Sequence, residues 1–256
     1  MSAVVMSVAN QKGGVGKTTT AINLASYLSE EGFKVLVMDM DPQANATSGL
    51  GIDVSEVKEN VYHLLIDQNN LEKVLYPTVF DNLHIIPSNK NLAGAEVELI
   101  KIVSRETVLR NAIQEAKKYY DYIFIDCPPS LGLLTVNALV ASDRTIIPLQ
   151  CEYYALEGIA NLINTLTLVK EHYNPSLEIA GIVLTMYDKR TALNQQVVEN
   201  AKTCFKDLVF DTIIPRNIRL TEAPSHGLPI ALYNSKSKGA TAYYNLAKEV
   251  KNRVKQ

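Results

Sequence analysis

The sequence predicts an α/β fold built on a mostly parallel, twisted sheet flanked by helices. Three observations predict it. Short apolar runs rich in β-branched residues recur along the chain, they alternate with stretches of helical periodicity, and they are apolar at successive positions, as strands covered on both faces are. With 256 residues, 47% hydrophobic and 20% charged, the chain can bury one large core, so a single domain over residues 1–256 is expected.

The elements follow in order. Residues 4–9 read as a buried strand, and residues 18–31 as a helix stopped by Gly32. Further strands are predicted over 34–38, 83–86, 122–125, 145–149, 179–184 and 209–214. Amphipathic helices are predicted over 105–118, 155–171, 194–206 and 240–254, with loop and short helix over the polar stretch 53–70. No internal repeat, low-complexity tract or Pro/Gly-rich linker demands a second domain.

Composition excludes several classes. No apolar run approaches the roughly 18–20 residues that span a bilayer, and the start lacks a basic segment followed by a signal-type apolar core, so a cytosolic protein is predicted. Cys127, Cys151 and Cys204 are odd in number and far apart, which suits reduced structural thiols rather than a disulfide framework or a zinc site. The net charge is −2, yet residues 1–185 hold 13 Lys/Arg against 21 Asp/Glu and residues 186–256 hold 12 against 6. That basic last quarter could face a polyanion.

Between the first strand and the first helix lies Lys12-Gly13-Gly14-Val15-Gly16-Lys17-Thr18-Thr19. Strand, glycine loop, helix is the order a phosphate-binding loop requires. The first glycine of the usual pattern is replaced by Asn10 or Gln11. Gly13, Gly14 and Gly16 still let backbone N–H groups close around an anion, Lys17 adds charge for terminal phosphates, and Thr18 supplies a hydroxyl for magnesium. Lys12 lies too early to serve those phosphates, so it has another task or is a solvated surface lysine.

In a parallel sheet, ligands bind beyond the carboxyl ends of the strands. The second strand leads into Asp39-Met40-Asp41-Pro42-Gln43. Asp41 is the candidate for holding magnesium through water or orienting an attacking water, with a turn former before Pro42 as the plain alternative, while Asp39 suits a supporting role. The apolar run 122–125 ends in Asp126-Cys127-Pro128-Pro129, the form of a Walker B strand, which places Asp126 beside the loop to hold a magnesium-bound water. The last predicted strand leads into Pro215-Arg216-Asn217-Ile218-Arg219-Leu220-Thr221-Glu222-Ala223-Pro224-Ser225.

These motifs, together with Thr185-Met186-Tyr187-Asp188, resemble the ParA/Soj branch of the ParA/MinD superfamily of deviant Walker A ATPases over essentially the whole chain. The resemblance implies that Gly13 through Thr19 wrap the phosphates of ATP or ADP with Mg2+, and that Lys12 reaches the nucleotide of the partner in an ATP-dependent homodimer. It implies that Pro215 and Asn217 contact adenine; a proline ring packs on a base face, and a side-chain amide both donates and accepts. It further implies that Arg190 and Arg219 contact double-stranded DNA without sequence preference, which would make the protein nucleoid-associated, and that a ParB/Spo0J-type partner accelerates slow hydrolysis. For each arginine the plain alternative is a local salt bridge. The absence of an N-terminal DNA-reading extension before the first strand favours the short chromosomal type.

Three rivals within the superfamily are weaker. A MinD-like division-site ATPase would carry an amphipathic lipid anchor at its end, whereas Leu246, Val250 and Val254 form a stripe better suited to core packing, so no membrane partner is expected. A nitrogenase-type iron protein would need paired cysteines for a bridging cluster, and none are evident. A tyrosine-kinase relative would want more than Tyr243-Tyr244 in its tail.

Overall fold

A computed structural model describes residues 2–67, 70–152 and 155–254. Its seven strands are β1 (Val4–Val8), β2 (Val35–Asp39), β3 (Tyr76–Pro77), β4 (Leu83–Ile86), β5 (Tyr122–Asp126), β6 (Arg144–Gln150) and β7 (Glu178–Thr185). They form one sheet in the order β3-β4-β2-β5-β1-β6-β7. Every pairing is parallel except that of β3 on β4 at one edge, a two-residue strand too short to have shown any periodicity in the sequence. All five residues of β2 and of β5 are buried, as their unbroken apolar character predicts.

One apolar cluster on the first face of the sheet includes Leu134, Ala138, Ile159, Leu162 and Leu166, from helices Leu133–Ala141 and Ala155–His172. The cluster on the other face holds Leu24 and Leu28 of helix α1 (Lys17–Glu30) against Tyr243, Leu246 and Val250 of the helix Lys238–Val254. The tail stripe is therefore core: Leu246 and Val250 are fully buried, and Val254 packs partly buried against them. Residues 255 and 256 of the predicted tail lie outside the described residues. Among the described residues no helix is long and apolar enough to cross a membrane.

Two predicted elements are corrected. Residues 209–214 do not form a strand. They run beside β7, touching it at one isolated bridge, Val209 on Ile182, with the Phe210 amide donating to Ile182 O and the Ile214 amide to Leu184 O. Between those points the amides of Asp211 and Thr212 donate instead to the carboxylate of Glu249, at 2.8 and 3.0 Å, and lift the chain away. Residues 105–118 do not form one helix either, but the 3-10 turn Arg105–Thr107 and the short helices Val108–Ala112 and Ala116–Tyr119. Asn137 is the wedge: its amide donates to Arg105 O at 2.9 Å and accepts from Leu109 N at 3.1 Å, the two groups a continuous helix would have paired directly.

Parallel register gathers the chemistry at one edge. Val8 of β1 and Asp39 of β2 both pair with Asp126 of β5, so the loops after these strands leave the sheet side by side.

Candidate functional site

At that edge lies an open cleft of about 1170 Å³. Its lining includes Gly13, Gly14, Gly16, Lys17, Thr18 and Thr19 of the loop, Asp41 and Pro129, and Thr185, Met186, Pro215 and Asn217. The sequence-predicted loop, catalytic carboxylate and base contacts thus share one cavity.

The loop is built by glycines and pinned by polar side chains. Gly14 at φ 73° and Gly16 at φ 91° occupy the left-handed region that only glycine enters at low cost. Gly16 begins α1 with no side-chain cap, leaving an uncapped helix N-terminus suited to an anion. Asn10, buried two residues beyond β1, donates its amide to Pro148 O of β6 at 2.7 Å and accepts from Lys12 N at 2.9 Å. Thr185 Oγ1 on β7 donates to Val15 O at 2.8 Å, so Val15 holds the loop from behind with its side chain buried.

The two lysines diverge. Lys17 is 6% exposed, its Nζ donates to Lys12 O at 3.0 Å, and burial lowers its pKa against the pull of Asp126. Lys12 stays at the surface, its Nζ 2.7 Å from Glu152 Oε2.

Behind Thr18 stands Asp126, fully buried. Its Oδ2 accepts from Thr18 Oγ1 at 2.7 Å, while its Oδ1 is buried without a hydrogen-bond partner. Burial, reinforced by the nearby Asp39 carboxylate, pushes its pKa well above the usual carboxylate range. An ionised, partnerless carboxylate oxygen is costly away from water, and a cation would relieve it. Among the described residues no three His, Cys, Asp or Glu side chains form a metal cage. Thr18 and Asp126, with Asp41 nearby, suit instead a small hard cation that keeps water and phosphate oxygens in its shell.

Asp41 lines the cleft, 7% exposed, with Oδ1 accepting from Gln43 N at 2.9 Å. Asp39 faces inward: Oδ2 accepts from the amide and hydroxyl of Thr47, at 2.8 and 2.7 Å, and Oδ1 from Asp41 N at 3.1 Å.

Met186, at φ 54°, turns the chain at the end of β7. There Tyr187 N donates to Ile214 O and Arg216 N to Tyr187 O, which sets Pro215 and Asn217 in the cleft wall. The Asn217 side chain caps the helix Ile218–Glu222 by accepting from Arg219 N at 2.9 Å. Its amide NH2 is the group left to donate to a ligand.

Arg190 and Arg219 lie outside the cleft lining, and each meets a carboxylate of its own segment: Arg190 that of Asp188, and Arg219 that of Glu222. Sequence reasoning gave no role of their own to Asn10, Thr185 and Arg216, although their motifs were noted, and passed over Glu152. Arg216 sits between the two predicted adenine contacts and was readable as a cleft residue from that placement alone; the other three act through contacts far apart in sequence.

Comparison with known proteins agrees with this geometry. Residues 3–179 match the family model described as an AAA domain. The chain is 54% identical to the sporulation initiation inhibitor protein Soj of Bacillus subtilis, over 96% of this chain and 97% of that one. It is 51% identical to the chromosome partitioning protein ParA of Myxococcus xanthus, over 97% and 88%. Among solved structures it resembles cobyrinic acid a,c-diamide synthase from Mycobacterium smegmatis, solved with bound ADP and magnesium, at 35% identity and a TM-score of 0.87 over 99% and 96% of the two chains. The cell division ATPase MinD of Pyrococcus furiosus is more distant in sequence, at 27% identity and a TM-score of 0.81 over 98% and 99%. With a phosphate-type loop, paired strand-end carboxylates and full-length identity near one half, this chain belongs to the ParA/Soj family of chromosome-partitioning ATPases.

Proposed function

We propose that the protein is an ATP-dependent DNA-partitioning ATPase whose ATP-bound homodimer holds duplex DNA and whose hydrolysis step releases it. The divergence of the two lysines carries this reading. Lys17 is buried inside the loop, whereas Lys12 waits at the surface on an exposed carboxylate, free to exchange Glu152 for a phosphate presented by a second subunit.

In this reading the amides around Gly13, Gly14 and Gly16 and the uncapped start of α1 cradle the phosphates of ATP, with Lys17 adding charge. Pro215 packs on the adenine face and the Asn217 amide donates to its edge. Thr18 and Asp126 are the residues that would hold magnesium, and the bound ion would supply positive charge to the phosphate oxygens. Asp41, held at the cleft wall through Gln43 N and Asp39, orients the attacking water. Lys12 of each subunit counters charge on the other's nucleotide, so ATP acts as part of the dimer contact.

Pairing two subunits doubles the arginines that one duplex can meet, and each neutralised phosphate adds to affinity. Arg190 and Arg219 supply those contacts, making binding salt-sensitive and indifferent to sequence. Family membership supports a ParB/Spo0J-type partner as the accelerator of a slow turnover, and a cytoplasmic, nucleoid-associated location. The MinD-like alternative is less well supported: the C-terminal stripe that an anchor would need is in the core, and MinD is the more distant relative.

The test is duplex DNA binding with ADP, ATP and a non-hydrolysable analogue, with anionic liposomes as the competing surface. DNA binding that appears only with ATP or the analogue is expected. Binding to liposomes in place of DNA would overturn the proposal.

A further inference from the structure

Each of the two arginines proposed to meet DNA is already engaged by a carboxylate. Arg190 has an 83% exposed side chain, yet its guanidinium is engaged by Asp188, Nε donating to Oδ1 at 3.0 Å and Nη2 to Oδ2 at 2.6 Å. Arg219 Nη1 donates to Glu222 Oε2 at 2.7 Å, three residues along the same short helix. Arg190 and Arg219 are thus offset one for one by Asp188 and Glu222, within a stretch that holds 12 Lys/Arg against 6 Asp/Glu.

Neither carboxylate is a passing neighbour. Glu222 Oε2 also accepts from the Tyr233 hydroxyl at 3.1 Å, and the Tyr233 ring stacks on His226 with centroids 4.9 Å apart. Asp188 accepts from Arg190 N at 3.0 Å, and its own amide donates to Asn194 Oδ1 at 2.7 Å. Hydrogen bonds from the arginines hold both carboxyls below the usual carboxylate range. Exposed ion pairs contribute little when two long side chains must be ordered to make them. Here Glu222 is already positioned by the Tyr233 hydroxyl and Asp188 by the backbone amide of Arg190, so less ordering is left to oppose the pairing.

We propose that Glu222 and Asp188 are built-in counter-charges that compete with DNA phosphate for Arg219 and Arg190, keeping this face weaker than its arginines alone would make it. The proposal rests on the reading that this face binds DNA. At Arg190 and Arg219 an arriving phosphate must displace a carboxylate and then sit near the charge it has displaced. Both of these arginines in one subunit are thereby opposed, so retention on DNA leans on pairing with a second subunit, and hence on ATP.

Glu222 is the residue to test, because Asp188 also lines the nucleotide cleft and Glu222 does not. Glu222→Gln keeps an oxygen for Arg219 and Tyr233 and removes only the charge. Binding of a labelled random-sequence duplex is measured for this variant, Arg219→Ala, Arg190→Ala and the Glu222→Gln/Arg219→Ala double variant, at matched dimer fraction with a non-hydrolysable ATP analogue. Glu222→Gln should bind about three- to tenfold more tightly than the parent at ~50 mM salt, with the gain shrinking towards ~200 mM. On an Arg219→Ala background that gain should be reduced, since the two residues act as a pair. Unchanged or weaker binding by Glu222→Gln, while Arg219→Ala still loses affinity, would overturn the counter-charge and leave the DNA reading standing. Unchanged binding by both Arg219→Ala and Arg190→Ala would overturn the two together.

Discussion

Lys12 Nζ lies 2.7 Å from Glu152 Oε2 at the surface, while five residues later Lys17 turns its own Nζ back onto the Lys12 carbonyl. One short loop thus presents one cation inward and one outward. An exposed pair of this kind is held by about 1 kcal/mol or less, so a phosphate group can displace the carboxylate. Lys12→Ala is expected to bind ATP within about twofold of the parent yet to fail to dimerise. Sedimentation with ATP checks this, and normal dimers would refute the assigned role.

Asp41 is held at the cleft wall by Gln43 N and by the tie from its own amide to Asp39. Asp41→Ala should lower ATP turnover by about 100-fold or more, the scale of a lost general-base or water-orienting group. ATP-bound dimers should then persist on DNA. Dissociation from a DNA-coated surface in ATP is the measurement, and fast release would remove Asp41 from the mechanism.

Asp126 carries opposite demands on stability and function. Its partnerless Oδ1 is a liability in the free protein and an asset to a cation. Asp126→Asn should stabilise the metal-free chain by roughly 1–2 kcal/mol, seen as a higher Tm. The same variant should need about 10- to 100-fold more magnesium for half-maximal ATP turnover. A lowered Tm together with an unchanged magnesium requirement would contradict both halves.

Burial pushes the Asp39 carboxyl up to about 6, against the opposing hydrogen bonds from Thr47. Between about pH 4 and 6 the folded chain keeps a proton that the unfolded chain has released. The contribution of Asp39 to stability is therefore present in full below about pH 4 and is lost as pH rises through about 6. Its size is on the order of 1–3 kcal/mol. Melting curves of the parent and Asp39→Asn from about pH 4 to 7 should diverge, with the parent falling relative to the variant as pH rises. A constant offset between them would show that Asp39 does not titrate in this range.

Most of the sheet was legible because its strands are buried on both faces and announce themselves as unbroken apolar runs, β2 and β5 above all. The run 209–214 has the same composition and is no strand, since Glu249, far along the chain, takes the amides of Asp211 and Thr212. The helix expected over 105–118 fails likewise, because Asn137 inserts its amide between Arg105 and Leu109. Propensity and periodicity report on neighbours a few residues away, and both exceptions are made by side chains that fold back from further off.

The site divides along the same line. By itself, the sequence determined the phosphate loop, the strand-end carboxylates and the family, because glycine spacing, helix starts and Asp after an apolar run express local backbone requirements. Only the tertiary structure decided what each charge meets: Lys12 on Glu152, Asp126 on Thr18 with one oxygen left over, Arg190 on Asp188 and Arg219 on Glu222. Arg219 and Glu222 are three residues apart on a helix and could have been paired on paper, but that Tyr233 fixes the same carboxylate could not. A charge takes its value from its surroundings, and in this protein much of those surroundings comes from strands and loops that are distant in sequence and adjacent only in the folded sheet.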